Sequence, residues 1–575
     1  MVNHANANKI FNNKNRKMPG NSIPGFFLSP YFFRMLLWLA PLLFLLIFFF
    51  LPLSKILILA FNTSALTKEN FRIILSTLSF TLYQAALSTI LTFVLGLPSA
   101  VLFSRFNFRG KALLRALTAV PFMLPTVVVA SSFNALFGNH GLFSYLQSFT
   151  SSILLRPSPF SLILLAHVFY NTTIVIRIVG STLSRLDPKL EQAARSLGAD
   201  TNRVWENVTL PLLRPSLLAA ALLVFMFDFT SFGVILLLGG SNFSTLEVEI
   251  YTRVLKLPNL PLAALLSIVQ LMATLIFSIL YTRSINQVTS QTAPRFSAAR
   301  APQTMRERAF VFAFSFVLFI FFLFPLASLP IRSLTRLDAD RGQRGEVQYG
   351  FTTNYYEELF IDRRGSVFYV PPIQAAKNSL GYAGLTVFLS LSLGYPAAYA
   401  LAKPTRLEKF LDPLIMLPLG ASAVMLGLGF ILSFGRALAS PWFVPVAHTL
   451  IALPFVIRTL QPALASIPER LRQAAAALGA SPFRVWQTVD FPILSRATIS
   501  AATFAFTVSL GEFGATLLLT RPEYPTIPIA IQRFLSQPGG LNFGQAMAMA
   551  TLLMVLTTLA ILLIEKLRLS DSGEF

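Results

Sequence analysis

The sequence predicts an all-α polytopic membrane protein of about twelve transmembrane helices, arranged as two parallel six-helix repeats. Three observations predict it. Hydrophobic residues are 54% of the 575 and charged residues only 12%, with a mean hydropathy of +0.65, a balance foreign to soluble domains. Apolar runs long enough to cross a bilayer recur along the whole chain. Between them a polar stretch, EQAARSLGADTNRVWENVTLP at Glu191–Pro211, returns 281 positions later as RQAAAALGASPFRVWQTVDFP at Arg472–Pro492. Eleven of the twenty positions from Gln192 are identical at that offset, so the chain is a duplication.

Residues 1–34 read as a tail, Asn- and Lys-rich to about Pro30 and without the apolar pattern of a folded segment. The run Met35–Phe61 is longer than a leader's apolar core and lacks a cleavage site, so it is the first span of a segment 35–76. The first repeat core, 77–283, holds runs at about Thr77–Phe103, Ala116–Phe137, Phe160–Gly180, Leu213–Gly239 and Leu260–Tyr281. A linker at 284–308 leads to a segment 309–376, made of a seventh run, Ala309–Ile331, and a long loop. The second core, 377–567, holds Asn378–Ala402, Pro413–Phe434, Trp442–Leu460, Leu494–Thr520 and Leu541–Ile564, before a tail at 568–575. Six is even, so the repeats are parallel and related by an axis along the membrane normal.

The repeated polar stretch carries its own turn chemistry. Asp187 and Pro188 suit the N-cap and first turn of a helix. Ala193, Ala194 and Leu197, like Ala474–Ala477, are strong helix formers. Gly198 and Gly479 supply the left-handed residue that ends such a helix. Asp200-Thr201 and Ser481-Pro482 then start a second short helix, with Trp205 and Trp486 near its end. This predicts a helix–Gly–helix elbow between two spans. A polar segment kept in both copies among apolar neighbours reads as a docking surface.

The pattern Ala-Ala, three residues, Gly, then a later Leu-Pro or Phe-Pro resembles the EAA loop of ABC-importer permeases. The resemblance covers about Phe80–Arg283 and Lys377–Leu567. It implies that each elbow docks on a cytoplasmic ABC ATPase, present in two copies, and that an external solute-binding protein delivers the substrate. The residues it assigns to coupling are Gln192, Ala193, Ala194, Gly198, Arg203, Trp205 and Pro211, with Gln473, Ala474, Ala475, Gly479, Arg484, Trp486 and Pro492. The family's leading Glu is Gln192 and Gln473 here. An amide keeps the hydrogen bonding and drops the charge, which leaves open any ion pair at that position.

The basic loops set the orientation. Arg105, Arg109, Lys111 and Arg115 crowd one loop, and Lys403, Arg406 and Lys409 its counterpart. With both elbows, the Arg283–Arg308 linker and the basic tail, roughly two thirds of all Lys and Arg fall on one side, which the positive-inside rule makes cytoplasmic. Both termini lie there, in an inner membrane whose lipid surrounds the spans. The net charge of +22 is thereby explained without nucleic acid. The loop Arg332–Ala376 is the misfit, with six arginines and six acids outside.

Further matches join the halves: Gly96-Leu97-Pro98 with Gly394-Tyr395-Pro396, Pro121 with Pro418, and Phe137-Gly138 with Phe434-Gly435. Their offset of 297–298 gives the first copy a longer loop around Asn139–Pro157. The segments FTLYQAALSTILTFVLGLPSAVLFSRF, VPFMLPTVVVASSFNALFG, FTSFGVILLLGG and TLEVEIY resemble the fused permeases of thiamine and ferric-iron importers. SLGEFGATLLL is similar to a wider group that includes molybdate and sulfate permeases.

Polar residues inside the spans are costly and therefore informative. His167 and His448 match at offset 281, as do Arg177 and Arg458. The arginines read as anchors reaching the interface, the histidines as hydrogen-bonding partners of a neighbouring helix rather than metal ligands. Asp228 and Glu512 lie mid-span after each elbow, where Asp228 matches Ser509 and Ser231 matches Glu512. They line a path for a cationic solute or brace a gate beside a glycine break at Gly233, Gly511 and Gly514.

The chain has no cysteine, and no G-x-x-x-x-G-K-[ST], H-E-x-x-H or G-x-S-x-G motif. The expectation is a fused importer permease, not an enzyme, without cofactor or metal, moving a small cationic solute such as ferric iron or thiamine. A 6+6 secondary transporter working without an ATPase is the alternative.

Overall fold

The computed structural model describes residues 30–62, 65–144, 157–240, 243–290, 299–337, 349–361 and 371–569. Most of the amino-terminal tail, the last six residues and the greater part of the Asn139–Pro157 loop lie outside these. So do eight residues of the linker and much of the Arg332–Ala376 loop.

The first half comprises α1 (Met35–Ala60), α2 (Lys68–Arg105), α3 (Lys111–Met123), α4 (Thr126–Phe137), α5 (Pro159–Arg185), α6 (Pro188–Ser196), α7 (Thr201–Phe229), α8 (Gly233–Gly239), α9 (Leu246–Tyr251) and α10 (Leu260–Ser290). The second comprises α11 (Met305–Ser333), α12 (Asn354–Glu357), α13 (Pro372–Ala402), α14 (Arg406–Gly420), α15 (Ala423–Phe434), α16 (Phe443–Ala465), α17 (Glu469–Ala477), α18 (Phe483–Gly511), α19 (Gly514–Leu519), α20 (Ile527–Leu535) and α21 (Gly540–Leu569). Among the described residues ten helices are long and apolar enough to cross a membrane, or twelve structures if each bent pair counts as one.

The α2 helix shows why these helices suit lipid. Thr77, Thr81, Gln84, Ser88 and Thr92 recur every three or four residues and are buried, while Leu75, Leu82, Ile90 and Val94 are exposed. The amphipathicity is inverted: hydroxyls and an amide face neighbouring helices, and the aliphatic face meets hydrocarbon. The Thr81 hydroxyl serves both its own helix and a neighbour, donating to Thr77 O at 2.7 Å and accepting the Leu246 N–H at 3.1 Å.

In each half α2, α5 and α7, or α13, α16 and α18, form a three-helix core. The matched glycines explain the closeness. A β-carbon on Gly96 would lie 2.7 Å from Val175 Cβ, and one on Gly394 2.7 Å from Val456 Cγ1. Val175 and Val456 are themselves repeat mates, so both halves use one small-residue notch.

The expected spans at Ala116–Phe137 and Pro413–Phe434 are each two helices. α3 and α4 meet at 111°, α14 and α15 at 98°. In the first pair Pro125 forces Leu124 into an extended conformation. In the second Ser422 restarts the helix by accepting the Met425 N–H at 3.0 Å. At 1.5 Å per residue, each piece is about 18–22 Å long, short of the ~30 Å hydrocarbon core. The expected spans Leu213–Gly239 and Leu494–Thr520 also break, between α7 and α8 and between α18 and α19.

The first helix of each half packs on the other half. Trp38, Leu45 and Phe49 of α1 are buried with Leu401, Ile415 and Phe430, and Trp38 Nε1 donates to Glu408 at 3.5 Å. In return Phe322 of α11 lies 5.3 Å from Phe169. The long loop after α11 begins with strand β1 (Thr335–Arg336), antiparallel to β2 (Gly350–Phe351). Arg332 is wholly buried there, donating to His140 O and Thr335 O at 2.7 Å each and covering the Phe543 ring. One arginine of the misfit loop is thus part of the packing.

Candidate functional site

Each elbow is a short helix with no buried residue, α6 or α17. The Asp187 carboxylate caps α6, accepting the Lys189 N–H at 2.9 Å. Both helices end in one turn. The Gly198 N–H donates to Arg195 O at 2.9 Å and the Ala199 N–H to Ala194 O at 3.1 Å. In the second copy Gly479 donates to Ala476 O at 3.0 Å and Ala480 to Ala475 O at 3.1 Å. With φ of +86° and +82°, Gly198 and Gly479 avoid the roughly 1–2 kcal/mol that a β-carbon costs there. The turn projects Leu197 and Leu478 into the surroundings, each 89% exposed. Two leucines so exposed at equivalent positions form a matched pair of apolar knobs.

After the glycine the expected one-turn helix restarts, at Thr201–Val204 and at Pro482–Val485. Asp200 accepts the Arg203 N–H at 2.9 Å and Ser481 the Arg484 N–H at 3.4 Å, and the chain runs on along α7 or α18. A π-turn, Trp205–Thr209 or Trp486–Asp490, precedes the residue before Pro211 or Pro492. Proline lacks an N–H and crowds the turn before it, and the wider turn absorbs both effects.

Ion pairs fasten these uncored helices to the spans. Glu191 of α6 pairs with Arg105 at the end of α2 and accepts Thr209 Oγ1 at 3.1 Å. Arg105 also covers Trp205, 5.1 Å from the ring centroid. In the second elbow the signs are exchanged: Arg472, the mate of Glu191, pairs with Asp490, the mate of Thr209, at 2.8 Å. Lys403 at the end of α13 pairs with Glu469. That partner and the hydrogen bond it donates hold the Glu469 carboxyl below its ordinary range.

Between the halves the broken helices meet. Phe232 and Phe513, repeat mates in the two breaks, stack with centroids 5.5 Å apart, and Tyr251 of α9 lies 5.6 Å from Phe232. Behind them each half has a buried histidine network. His167 Nε2 bonds Ser231 Oγ at 2.8 Å, and its Nδ1 lies 2.8 Å from Gln84 Nε2 and 3.5 Å from Asp228 Oδ1. Asn171 donates to the same Asp228 oxygen at 2.7 Å. His448 bonds Ser509 at 2.7 Å and Thr516 at 2.8 Å, with Glu512 Oε2 3.2 Å away. Glu512 caps α19, accepting the Ala515 and Thr516 N–H groups at 2.8 and 2.9 Å. Among the described residues no group of three or more His, Cys, Asp or Glu is placed to hold a metal.

The family model of the binding-protein-dependent transport system inner membrane component matches residues 92–338 and 390–568. The chain belongs to this family. It is a multi-pass permease of an ABC importer, with the family domain present twice. The permease is 25% identical to the thiamine transport system permease protein ThiP of Brucella abortus over 509 residues, covering 86% of this chain and 88% of that one. It is 25% identical to the Escherichia coli protein of that name (85% and 88% covered) and 26% to that of Haemophilus influenzae (78% and 81%).

In this permease the elbow residues Gln192, Ala193, Arg203, Gln473, Ala474 and Arg484 are exposed. Ala194, Ala475, Trp205 and Pro211 are half-buried, and Trp486 and Pro492 are exposed. Asp228, Ser231, Ser509 and Glu512 are all buried, in two networks rather than one. Sequence reading missed Glu191, one position before the motif, and its mate Arg472. Their signal was an ionisable residue at the same place in each copy, hidden because the signs differ. It also missed Phe232 and Phe513, although both segments were singled out, and Glu247, present in TLEVEIY without a role.

Proposed function

We propose that this permease is the membrane subunit of an ATP-driven, binding-protein-dependent importer for a small cationic solute, thiamine first and ferric iron second. The paired elbows carry the reading. Two helices without a core, each presenting a leucine at its tip, are built to be covered by another protein. Two equivalent knobs fit two copies of one ATPase. The elbows and basic loops then face the cytoplasm, with both termini on that side, and a solute-binding protein meets the opposite face. The chain itself performs no covalent chemistry.

In this reading ATPase closure moves the elbows. Arg105–Glu191 and Arg472–Asp490 carry the movement to the spans, and the breaks around Phe232 and Phe513 open or close the path. Asp228 and Glu512 brace those breaks: Glu512 by capping α19, Asp228 by tying α7 to α5. Thiamine is favoured because the relatives above carry that name, and a cation suits buried carboxylates near the path.

The test is uptake by vesicles containing the permease, its ATPase and its binding protein. Thiamine should enter only with ATP inside the ATPase-accessible compartment. Uptake driven by an ion gradient without ATP would favour the secondary-transporter alternative. Asp200→Cys and Ser481→Cys should react with an impermeant thiol reagent from the cytoplasm alone, and Phe351→Cys from outside alone.

A further inference from the structure

Asp228, Glu247, Glu249 and Glu512 are buried on the helices around the two breaks, and Glu249 pairs with Arg253 at 2.7 Å. Both oxygens of Glu512 are engaged, by two backbone N–H groups, Thr516 and His448. Asp228 faces the interior of its own half, toward Asn171 and His167 of α5. Its Oδ2 and the Asn171 amide oxygen have no hydrogen-bond partner. Glu247 shares that state but stands at the seam between the halves. It is 1% exposed, accepts Gln270 Nε2 at 2.6 Å through Oε1, and its Oε2 has no hydrogen-bond partner. The amide oxygen of Gln270, itself 1% exposed, is also without a partner. A buried carboxylate oxygen and an amide oxygen left together are acceptors awaiting a positive or hydrogen-donating group.

Their position is the seam between the halves. Gln270 is one turn from Thr274 on α10, and Thr274 Oγ1 donates across the seam to Gly420 O at 2.7 Å. Glu247 is one turn from Tyr251, which touches Phe232 of the stacked pair. Across the seam the Ser422 hydroxyl of the second half is a hydrogen-bond donor toward Glu247, and the Glu512 charge opposes it. The repeat mate of Glu247 is Pro528, so this carboxylate exists on one side only.

We infer that Glu247, oriented by Gln270, is the carboxylate that meets a cationic solute when the halves part. This rests on the importer reading above. The closed seam offers Glu247 only the Gln270 amide and the Ser422 hydroxyl, neither of them charged; a passing cation supplies the missing positive charge.

The test uses the reconstituted permease–ATPase complex and two probes. The first is thiamine: Glu247→Gln should slow uptake about tenfold, the size expected for losing one close charge contact, while binding-protein-stimulated ATP hydrolysis stays within about twofold. Loss of both together would make Glu247 a structural brace and overturn the inference. The second needs no substrate. With Ser422→Cys as the sole cysteine in a complex turning over ATP, a trimethylammonium thiosulfonate should react about tenfold faster than a sulfonate of the same size. Glu247→Gln should abolish that preference. An unchanged preference overturns the inference. Thr274→Cys replaces Ser422→Cys if the latter fails to assemble. Should the wild type not carry thiamine, the substrate reading falls, and the reagent ratio still decides the role of Glu247.

Discussion

Gly198 and Gly479 show how little at the residue scale is interchangeable. Each occupies a left-handed turn with open space around the missing β-carbon, so backbone strain alone, not crowding, requires glycine. Changing both to Val places a β-branched residue at positive φ, at about 1–2 kcal/mol each. The elbows have no core to resist that cost. The double variant should insert normally yet lose most ATP-driven uptake and co-purifying ATPase. Normal uptake would detach the elbows from coupling. Gly96 and Gly394 are required for the opposite reason, since there the obstacle is a valine 2.7 Å away.

At the scale of elements, the second elbow depends on charge and the central break on a cap. The Glu469 carboxyl is held below its ordinary 4.5 by Lys403. Its stabilising effect is therefore complete above the unfolded value and is lost as pH falls through the folded one. The protection of α17 against hydrogen exchange, measured relative to the intrinsic rate at each pH, should fall as pH drops below about 4.5, and Glu469→Gln should remove that dependence. The pair is exposed, so salt should weaken it as well. Glu512 is a different device. Glu512→Ala removes the acceptor for two N–H groups at the start of α19, a loss of about 1 kcal/mol for an N-cap, with more from the orphaned Thr516 and His448. Thermal unfolding in detergent should fall by a few degrees, and basal ATP hydrolysis should rise as the gate loosens. A raised or unchanged melting point would exclude the bracing role.

Over the whole molecule, the exchange of first helices decides how the halves cohere. α1 packs on α13 and α15 of the second half as well as on α10 of its own, and α11 on α3 and α4 of the first as well as on α21 of its own. Deleting residues 1–62 should therefore expose the α13–α15 face to protease before any site in α2 or α5. Co-expressed halves divided within the linker should assemble through the two exchanged helices. Early cleavage in α2 or α5 would contradict this exchange.

The sequence by itself determined the duplication, the membrane character, the six-plus-six run count and the elbow with its glycine, because these rest on local composition and short spacings. It also marked His167, His448, Asp228 and Glu512, since a polar side chain in an apolar run is visible without coordinates. Only the tertiary structure decided that Ala116–Phe137 and Pro413–Phe434 bend by about a right angle, for Pro125 and Ser422 act through different chemistry and look unrelated in sequence. It alone separated Asp228 and Glu512 into two networks and brought Glu247 to the seam beside Gln270. Burial of a carboxylate depends on which helix covers it: Asn171 lies 57 positions from Asp228 and Gln270 23 from Glu247. Pairing of Glu191 with Arg105 and of Arg472 with Asp490 was hidden for the same reason. An ion pair is a fact of distance, and the chain states distance only after it has folded.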